Sequence, residues 1–427
     1  MNRRLKYSFA LFFAAVVVLF AACSSAVESK LSATSTTGSG SLQVASNWRV
    51  ALAGTFAPLG WLDGVDCLAA TSCVAVGTEL SPVGPPGKAL VETLSQGMWS
   101  ASIAPAAPGS LGDYLFSVSC PVVGRCVAVG YSFSKTATGG KASMLIETLD
   151  NGKWTVTAAP SLSSDLSDSF LNAVSCATPI NCVAVGNTDE GEFSTNRPLV
   201  LTLAAGTWSV TSSPNLEPNG GLLSSGALES VSCTSSTKCH AGGYRATTAS
   251  IQTLVESYGG GKWSLMSSPG SGESNEEDGA WGLNGLSCSM ATTCVAVGQL
   301  INREPILDVM NNGPWSATSG RNPSPQYGAN GLYGVSCSMT SKCVAVGESA
   351  DSFNYSAPDG ALGLPLHTLI ESNSSGSWSV EASPLGLPAV SGLHDVSCIQ
   401  GHCVAVGESG QFVDSTSTSK TLIIETR

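Results

Sequence analysis

Fourteen cysteines, set in pairs, are the residues whose type and spacing most directly dictate chemistry. The pairs are Cys67–Cys73, Cys120–Cys126, Cys176–Cys182, Cys233–Cys239, Cys288–Cys294, Cys337–Cys343 and Cys398–Cys403, spaced C-x5-C in six cases and C-x4-C in the last. Each pair flanks a short turn, so its thiols face each other across a hairpin, and an exported chain would join them as disulfides. Each bridge over so short a loop contributes roughly 2 kcal/mol. A metal–thiolate centre needs about four ligands in one place. One hairpin supplies two, so no metal is expected. Nor is a redox role, because the spacing is not C-x-x-C and nothing distinguishes one pair from the next.

Two further sets recur with the cysteines. Directly after each V-A-V-G or its equivalent stand Thr78, Tyr131, Asn187, Tyr244, Gln299, Glu348 and Glu408. Directly after the leucine that precedes each first cysteine stand Asp63, Phe116, Asn172, Glu229, Asn284, Tyr333 and His394. Polar and aromatic groups of this kind suit contact with carbohydrate or peptide, although they also read as solvated strand ends. Arg197, Arg245 and Arg303 fall between second and third strands, where they could form a cation cluster. Catalytic signatures are absent: no G-x-S-x-G, H-E-x-x-H or phosphate loop stands in a fitting context. Of the histidines, His240 replaces a packed valine and His402 lies in a disulfide turn, leaving His367 and His394. The acidic run Glu273, Glu276, Glu277, Asp278 lacks the alternating spacing of calcium loops. No catalytic residue and no cofactor are expected.

The elements that must position these residues form a sevenfold repeat. Its pattern is L-x-x-V-S-C, five residues, C-V-A-V-G, a variable stretch, L-I-E-T, a short turn, then G-x-W-S-V. First cysteines recur every 49 to 61 residues, and each unit supplies four short strands. That arithmetic gives an all-β fold, a seven-bladed β-propeller with four antiparallel strands per blade. The seventh unit ends at its third strand, whereas Trp48 lies in a fourth-type strand with no unit of its own. The N-terminal strand is therefore expected to close the last blade and remove the free edges. Strand order puts the disulfide turns and the third-to-fourth turns on one face. The longer connections, such as 131–142 and 348–365, fall on the other, where binding is expected.

The turn Thr148-Leu149-Asp150-Asn151-Gly152-Lys153-Trp154, repeated loosely as x-x-G-x-W, resembles the Asp-box of bacterial BNR-repeat propellers, including sialidases. In that family the box is a structural turn. The resemblance implies a sialidase-like propeller, in which three arginines hold a carboxylate and a Tyr/Glu pair acts with an acid. Here Arg125 falls in a disulfide turn and Arg49 in an outer strand.

Residues 1–22 read as a lipoprotein signal peptide, with Arg3, Arg4 and Lys6 before the apolar run 9–20. Phe20-Ala21-Ala22-Cys23 resembles a lipobox and makes Cys23 the lipidation site. Residues 23–45, rich in Ser, Thr, Gly and Ala, read as a flexible tether, and 46–427 as the propeller. Removing the leader leaves 16 Lys+Arg against 31 Asp+Glu, a net charge of −15. That balance argues against nucleic acid and against anionic membrane surfaces, leaving the lipid anchor as the membrane contact. The expected protein is an extracytoplasmic, lipid-anchored monomer. It binds a glycan or an envelope or extracellular protein without catalysis. A BNR/sialidase-like glycoside hydrolase and an envelope complex assembly factor are the alternatives.

Overall fold

The computed structural model describes residues 46–427 apart from 52–58, 81–85, 137–138, 163–167, 191–194, 215–224, 247–250, 269–279, 301–303, 320–329, 340, 351–365, 375, 389 and 414–415. The leader, Cys23, the tether, Arg303 and the acidic run 273–278 lie outside the described residues.

The repeat units, numbered one to seven in chain order, set out as antiparallel sheets. In unit one, Gly60–Ala69, Ser72–Glu79, Lys88–Ser95 and Met98–Ile103 pair in sequence order. Units two to five form four more sheets of the same kind. Units six and seven share an eight-stranded sheet made of two antiparallel four-strand runs. One run is Asn330–Met339, Lys342–Ala350, Leu366–Asn373 and Trp378–Val380. The other is Val390–Ile399, His402–Val413, Thr416–Thr426 and Trp48–Val50. A single parallel residue pair, Leu366 with Val390, joins the two. The N-terminal strand lies antiparallel to the last, with Trp48 opposite Thr426. The fold is an all-β propeller of four-stranded antiparallel blades.

Apolar clusters fill the spaces between successive units. Val74, Val76 and Val91 of unit one pack on Leu115, Ala128 and Leu145 of unit two. The last space joins Val404, Val406 and Ile423 of unit seven to Leu62, Ala75 and Leu90 of unit one. Sheets covered on both faces explain why the V-A-V strands are apolar throughout.

All seven cysteine pairs are disulfide-bonded, with Cα–Cα separations of 4.0 to 4.1 Å. The one shorter spacing has a local cause. In the C-x5-C units the ladder slips one register just past the first cysteine, as between Cys176 and Thr178. In unit seven Cys398 faces Cys403 and Ile399 faces His402 without a slip. Gln400 and Gly401 there take φ of 51° and 87°, a two-residue turn that needs no bulge.

A second irregularity is common to every unit. The first strand bulges at the residue after its leucine, as between Leu62 and Gly64, Leu171 and Ala173, and Leu393 and Asp395. Opposite each bulge lies the glycine of V-A-V-G. A Cβ on Gly77, Gly130, Gly186, Gly243, Gly298, Gly347 or Gly407 would come within 1.8 to 2.1 Å of a first-strand carbonyl oxygen. The glycine lets the second strand press against the first, and the bulge takes up the extra length.

Successive first strands are stitched by side-chain bonds. The backbone N–H of Cys120 donates to Asp66 Oδ2 at 2.7 Å. Those of Cys176, Cys233, Cys288, Cys337 and Cys398 donate to Ser119, Ser175, Ser232, Ser287 and Ser336 Oγ at 2.9 to 3.1 Å. Cys67 of unit one donates to Ser397 Oγ of unit seven at 3.0 Å, which returns the series to its start. Burial pushes the Asp66 carboxyl up to about 6, against the lowering effect of the Cys120 and Cys67 amides.

The stretch 131–142, expected as a loop, is instead a hairpin extension. Tyr131 pairs with Met144 and the ladder runs out to Thr136 with Gly139. The alternation Tyr131-Ser132-Phe133-Ser134 carries strand period past the glycine and sustains the pairing. The third strands add buried acids opposite the alanine of V-A-V, among them Glu147, Glu256 and Asp308. Burial raises Glu147 to about 8, with Asp113 adding to it, and Glu256 and Asp308 to about 7.

Two outcomes follow. Gly186→Ala is expected to cost about 3 kcal/mol or more, because backbone rather than a movable side chain opposes the new methyl. Guanidinium unfolding under non-reducing conditions measures it, and an unchanged midpoint contradicts the close-approach account. A carboxyl whose pKa is raised by folding holds its proton more tightly folded than unfolded. Stability should therefore fall as pH rises from the ordinary carboxylate range toward 8. Thermal midpoints across that range should decline less in Glu147→Gln than in the parent.

Candidate functional site

The bulge places one side chain per unit at the end of the first strands opposite the disulfides. In ring order these are Asp63, Phe116, Asn172, Glu229, Asn284, Tyr333 and His394. The residue after each V-A-V-G glycine pairs with the residue before the first-strand leucine, as Tyr131 with Tyr114 and Glu408 with Gly392. The two candidate sets therefore lie side by side.

Units six, seven and one bring five of them together. Tyr333 Oη donates to Glu348 Oε1 at 2.7 Å, and its ring meets that of His394 edge-on at 6.4 Å. His394 Nδ1 lies 2.9 Å from Leu62 O and 3.3 Å from Asp63 Oδ1, while Nε2 is 4.0 Å from Glu408 Oε1. A carbonyl can only accept, so Nδ1 carries a proton and donates. Trp61 Nε1 donates to Asp63 Oδ2 at 2.8 Å, fixing that carboxylate from the other side. Asp63, Glu348 and His394 are buried, and Tyr333 and Glu408 are partly exposed.

Unit two adjoins this polar group with an aromatic one. Tyr131 stacks on Tyr114 at 4.7 Å with planes 10° apart, meets Phe170 of unit three edge-on at 5.1 Å, and lies 5.6 Å from Phe116. All four rings are partly exposed. Burial raises the Tyr131 phenol, and the neighbouring Tyr114, Asp63 and Asp168 add to the shift. The two groups lie on neighbouring units at the same end of the sheets.

Of the other candidates, Asn172, Asn284, Gln299, Asn187 and Tyr244 are tied to seams between units. Asn172 Nδ2 donates to Leu228 O at 2.9 Å, and Asn284 Nδ2 to Leu332 O at 3.1 Å. Gln299 Nε2 donates to Asn330 O at 3.1 Å. Asn187 and Tyr244 are joined through Asn196, at 2.9 and 3.1 Å. Glu229 stands at the bulge of unit four. Arg197 and Arg245, expected in loops, lie on strands instead: Arg197 on Thr195–Ala204 opposite Thr188, Arg245 on Lys238–Ala246 with Nε donating to Gln252 Oε1 at 2.9 Å. The hairpins extend beyond the repeat core and carry both arginines into paired backbone. His240, buried, has Nε2 2.8 Å from Ala291 O, and burial lowers its pKa.

Reading by repeat position missed Trp61, Tyr114 and Phe170. Their shared signal is an aromatic directly before the first-strand leucine in three consecutive units. Among the described residues no group of three or more His, Cys, Asp or Glu is arranged to hold a metal ion.

No family model matches the sequence, and no curated protein sequence matches it. Solved structures do resemble the fold. The polysaccharide lyase Uly1 superposes with a TM-score of 0.52 at 10% identity, over 88% of this chain and 90% of that one. The Swd1 β-propeller domain of Myceliophteria thermophila gives 0.45 at 9% identity, over 89% and 99%. Trypanosoma rangeli sialidase gives 0.43 at 10% identity, over 86% and 53%. At such identities the likeness to Uly1 establishes the fold alone.

Asn172→Ala and Asn284→Ala should each lower the unfolding free energy by about 1 to 2 kcal/mol, because each leaves a seam carbonyl without its donor. Unchanged denaturation midpoints for both would mean that these bulged amides do not hold the seams.

Proposed function

We propose that this chain is an exported seven-bladed propeller, anchored through Cys23, that binds a glycan without catalysis at the end opposite the disulfides. The two four-strand runs of the eight-stranded sheet count as two blades, supported by the single residue pair that joins them and by the seam bonds running on through both. The disulfides are consistent with an extracytoplasmic location. The lipobox-like Phe20-Ala21-Ala22-Cys23, the leader 1–22 and the tether 23–45 supply the anchor in this reading.

One observation carries the ligand class: the partly exposed rings of Tyr114, Phe116, Tyr131 and Phe170 cluster in units two and three, at the same end of the sheets as the carboxylates Asp63, Glu348 and Glu408 of units one, six and seven. Rings offer apolar faces to the CH side of a sugar, and carboxylates accept its hydroxyls. Three acids in this group favour a neutral or cationic glycan over an anionic one. Tyr333 with Glu348, a phenol hydrogen-bonded to a carboxylate, favours the hydrolase as a second reading. An extracellular protein partner, including an assembly role in an envelope complex, remains a third outcome of capture from intact cells.

A panel of neutral, cationic and acidic polysaccharides in affinity electrophoresis separates these readings. Retardation by a neutral or cationic member, weakened about tenfold or more by Tyr131→Ala, is the expected result. Retention of none, or turnover of any member abolished by Tyr333→Phe, would overturn non-catalytic glycan binding.

A further inference from the structure

We propose that the disulfide-bearing end of the propeller docks on an anionic lipid surface through exposed lysines and apolar turns. The end is defined by the turns between first and second and between third and fourth strands. Its exposed cations include Lys153 of unit two, Lys238 and Lys262 of unit four and Lys342 of unit six. None of the four is in an ion pair among the described residues. Asp150 and Glu425, the acids in and beside these turns, are each paired, with Arg125 at 3.3 Å and Arg49 at 2.7 Å. The opposite end also carries exposed lysines, Lys88, Lys135, Lys141 and Lys420, but shares them with Glu79, Asp168, Glu348 and Glu408, so in a chain of net charge −12 the uncompensated positive charge falls on the disulfide end.

Apolar side chains stand among these lysines. Met98, Val123, Ile180 and Met290 are 70, 75, 55 and 57% exposed, and they occupy turns of units two and three and the strand ends beside turns of units one and five. Cations interspersed with protruding apolar groups match the headgroup and outer acyl layers of an anionic bilayer, where a charged protein partner would leave the apolar turns unsatisfied.

Chain entry points to the same occupant. Trp48 pairs with Thr426, whose Oγ1 accepts from the Cys403 amide at 2.9 Å, so the chain arriving from Cys23 joins the propeller at its disulfide end. This part rests on the lipid-anchor reading; the charge of the end does not. The 22 residues between Cys23 and Ser46 span at most about 75 Å when fully extended. An anchor with that reach selects no face by itself, and the lysines supply the selection. The consequence is that the aromatic and acidic site faces away from the membrane. On this proposal the lipid anchor is not the sole membrane contact, in contrast to the expectation drawn from net charge alone.

The test uses the mature chain with Cys23→Ser, exported behind a cleavable leader, and vesicles of phosphatidylcholine with or without phosphatidylglycerol. Salt-sensitive cosedimentation with the phosphatidylglycerol vesicles is expected, reduced about tenfold or more when Lys153, Lys238, Lys262 and Lys342 are changed together to Glu. The milder change of the same four to Gln, with denaturation midpoints checked, guards against misfolding. Equal binding to both vesicles, or binding indifferent to either set, overturns the proposal. For the native protein on vesicles, amine labelling should spare these four lysines relative to Lys135 and Lys141 on the opposite hairpin, and even labelling overturns the orientation. The mass of the native N-terminus reports acylation of Cys23 separately, so failure of the anchor reading is distinguishable from failure of the docking surface.

Discussion

The close approach of each second strand to its first is the constraint on which this molecule turns. In every unit the V-A-V-G glycine lies against a first-strand carbonyl, at a separation that a Cβ could not share. Two strands held that tightly cannot keep register past the contact, so the first strand bulges by one residue. That residue leaves the ladder, and Asn172, Asn284 and His394 there reach the first-strand leucine carbonyl of the next unit. The candidate site is therefore a product of backbone crowding: one bulged side chain per unit, brought beside one post-glycine side chain.

The seams impose a second condition. The first strand is the edge of its four-stranded run, so some of its amides have no ladder partner, and the V-S-C serine of the neighbouring unit accepts one of them at the first cysteine. Asp66 does so where unit one has no serine, and burial then raises its pKa. Amides at bulges serve the same end, so Asn172 and Asn284 act as seam links. His394 makes the same bond, to Leu62 O, and is buried with Asp63, so Tyr333, Glu408 and the rings of Tyr114, Phe116, Tyr131 and Phe170 are the part left partly exposed. Polarity thus divides by position around the ring, with seam amides in units three to five and the aromatic and acidic surface across units six, seven, one and two.

The two ends of the sheets differ because they answer to different connections. Disulfide turns are five or six residues from cysteine to cysteine, hold no carboxylate and carry exposed apolar groups such as Val123 and Ile180. Extended hairpins and the buried carboxylates of Asp63 and Glu348 lie toward the other end. On the proposed reading, one end meets a membrane surface and the other a ligand.

Much of this was legible in the sequence because it is local. Cysteine spacing determined the disulfide pairing, since partners five or six positions apart meet across one turn. The repeat determined four strands per unit, and the lone Trp48 strand foretold its pairing with the last. Spacing could not tell a loop from an extended hairpin at 131–142, because alternation there continues past the glycine. Only the tertiary structure decided which candidates meet. His394 and Leu62 are 332 positions apart, and Cys67 and Ser397 are 330 apart, yet both pairs are hydrogen-bonded. It also decided that Lys153, Lys238, Lys262 and Lys342, far apart in the chain, share one end. Local geometry is written in spacing; contacts across the seams depend on how rigid units stack, and no interval in the sequence records that.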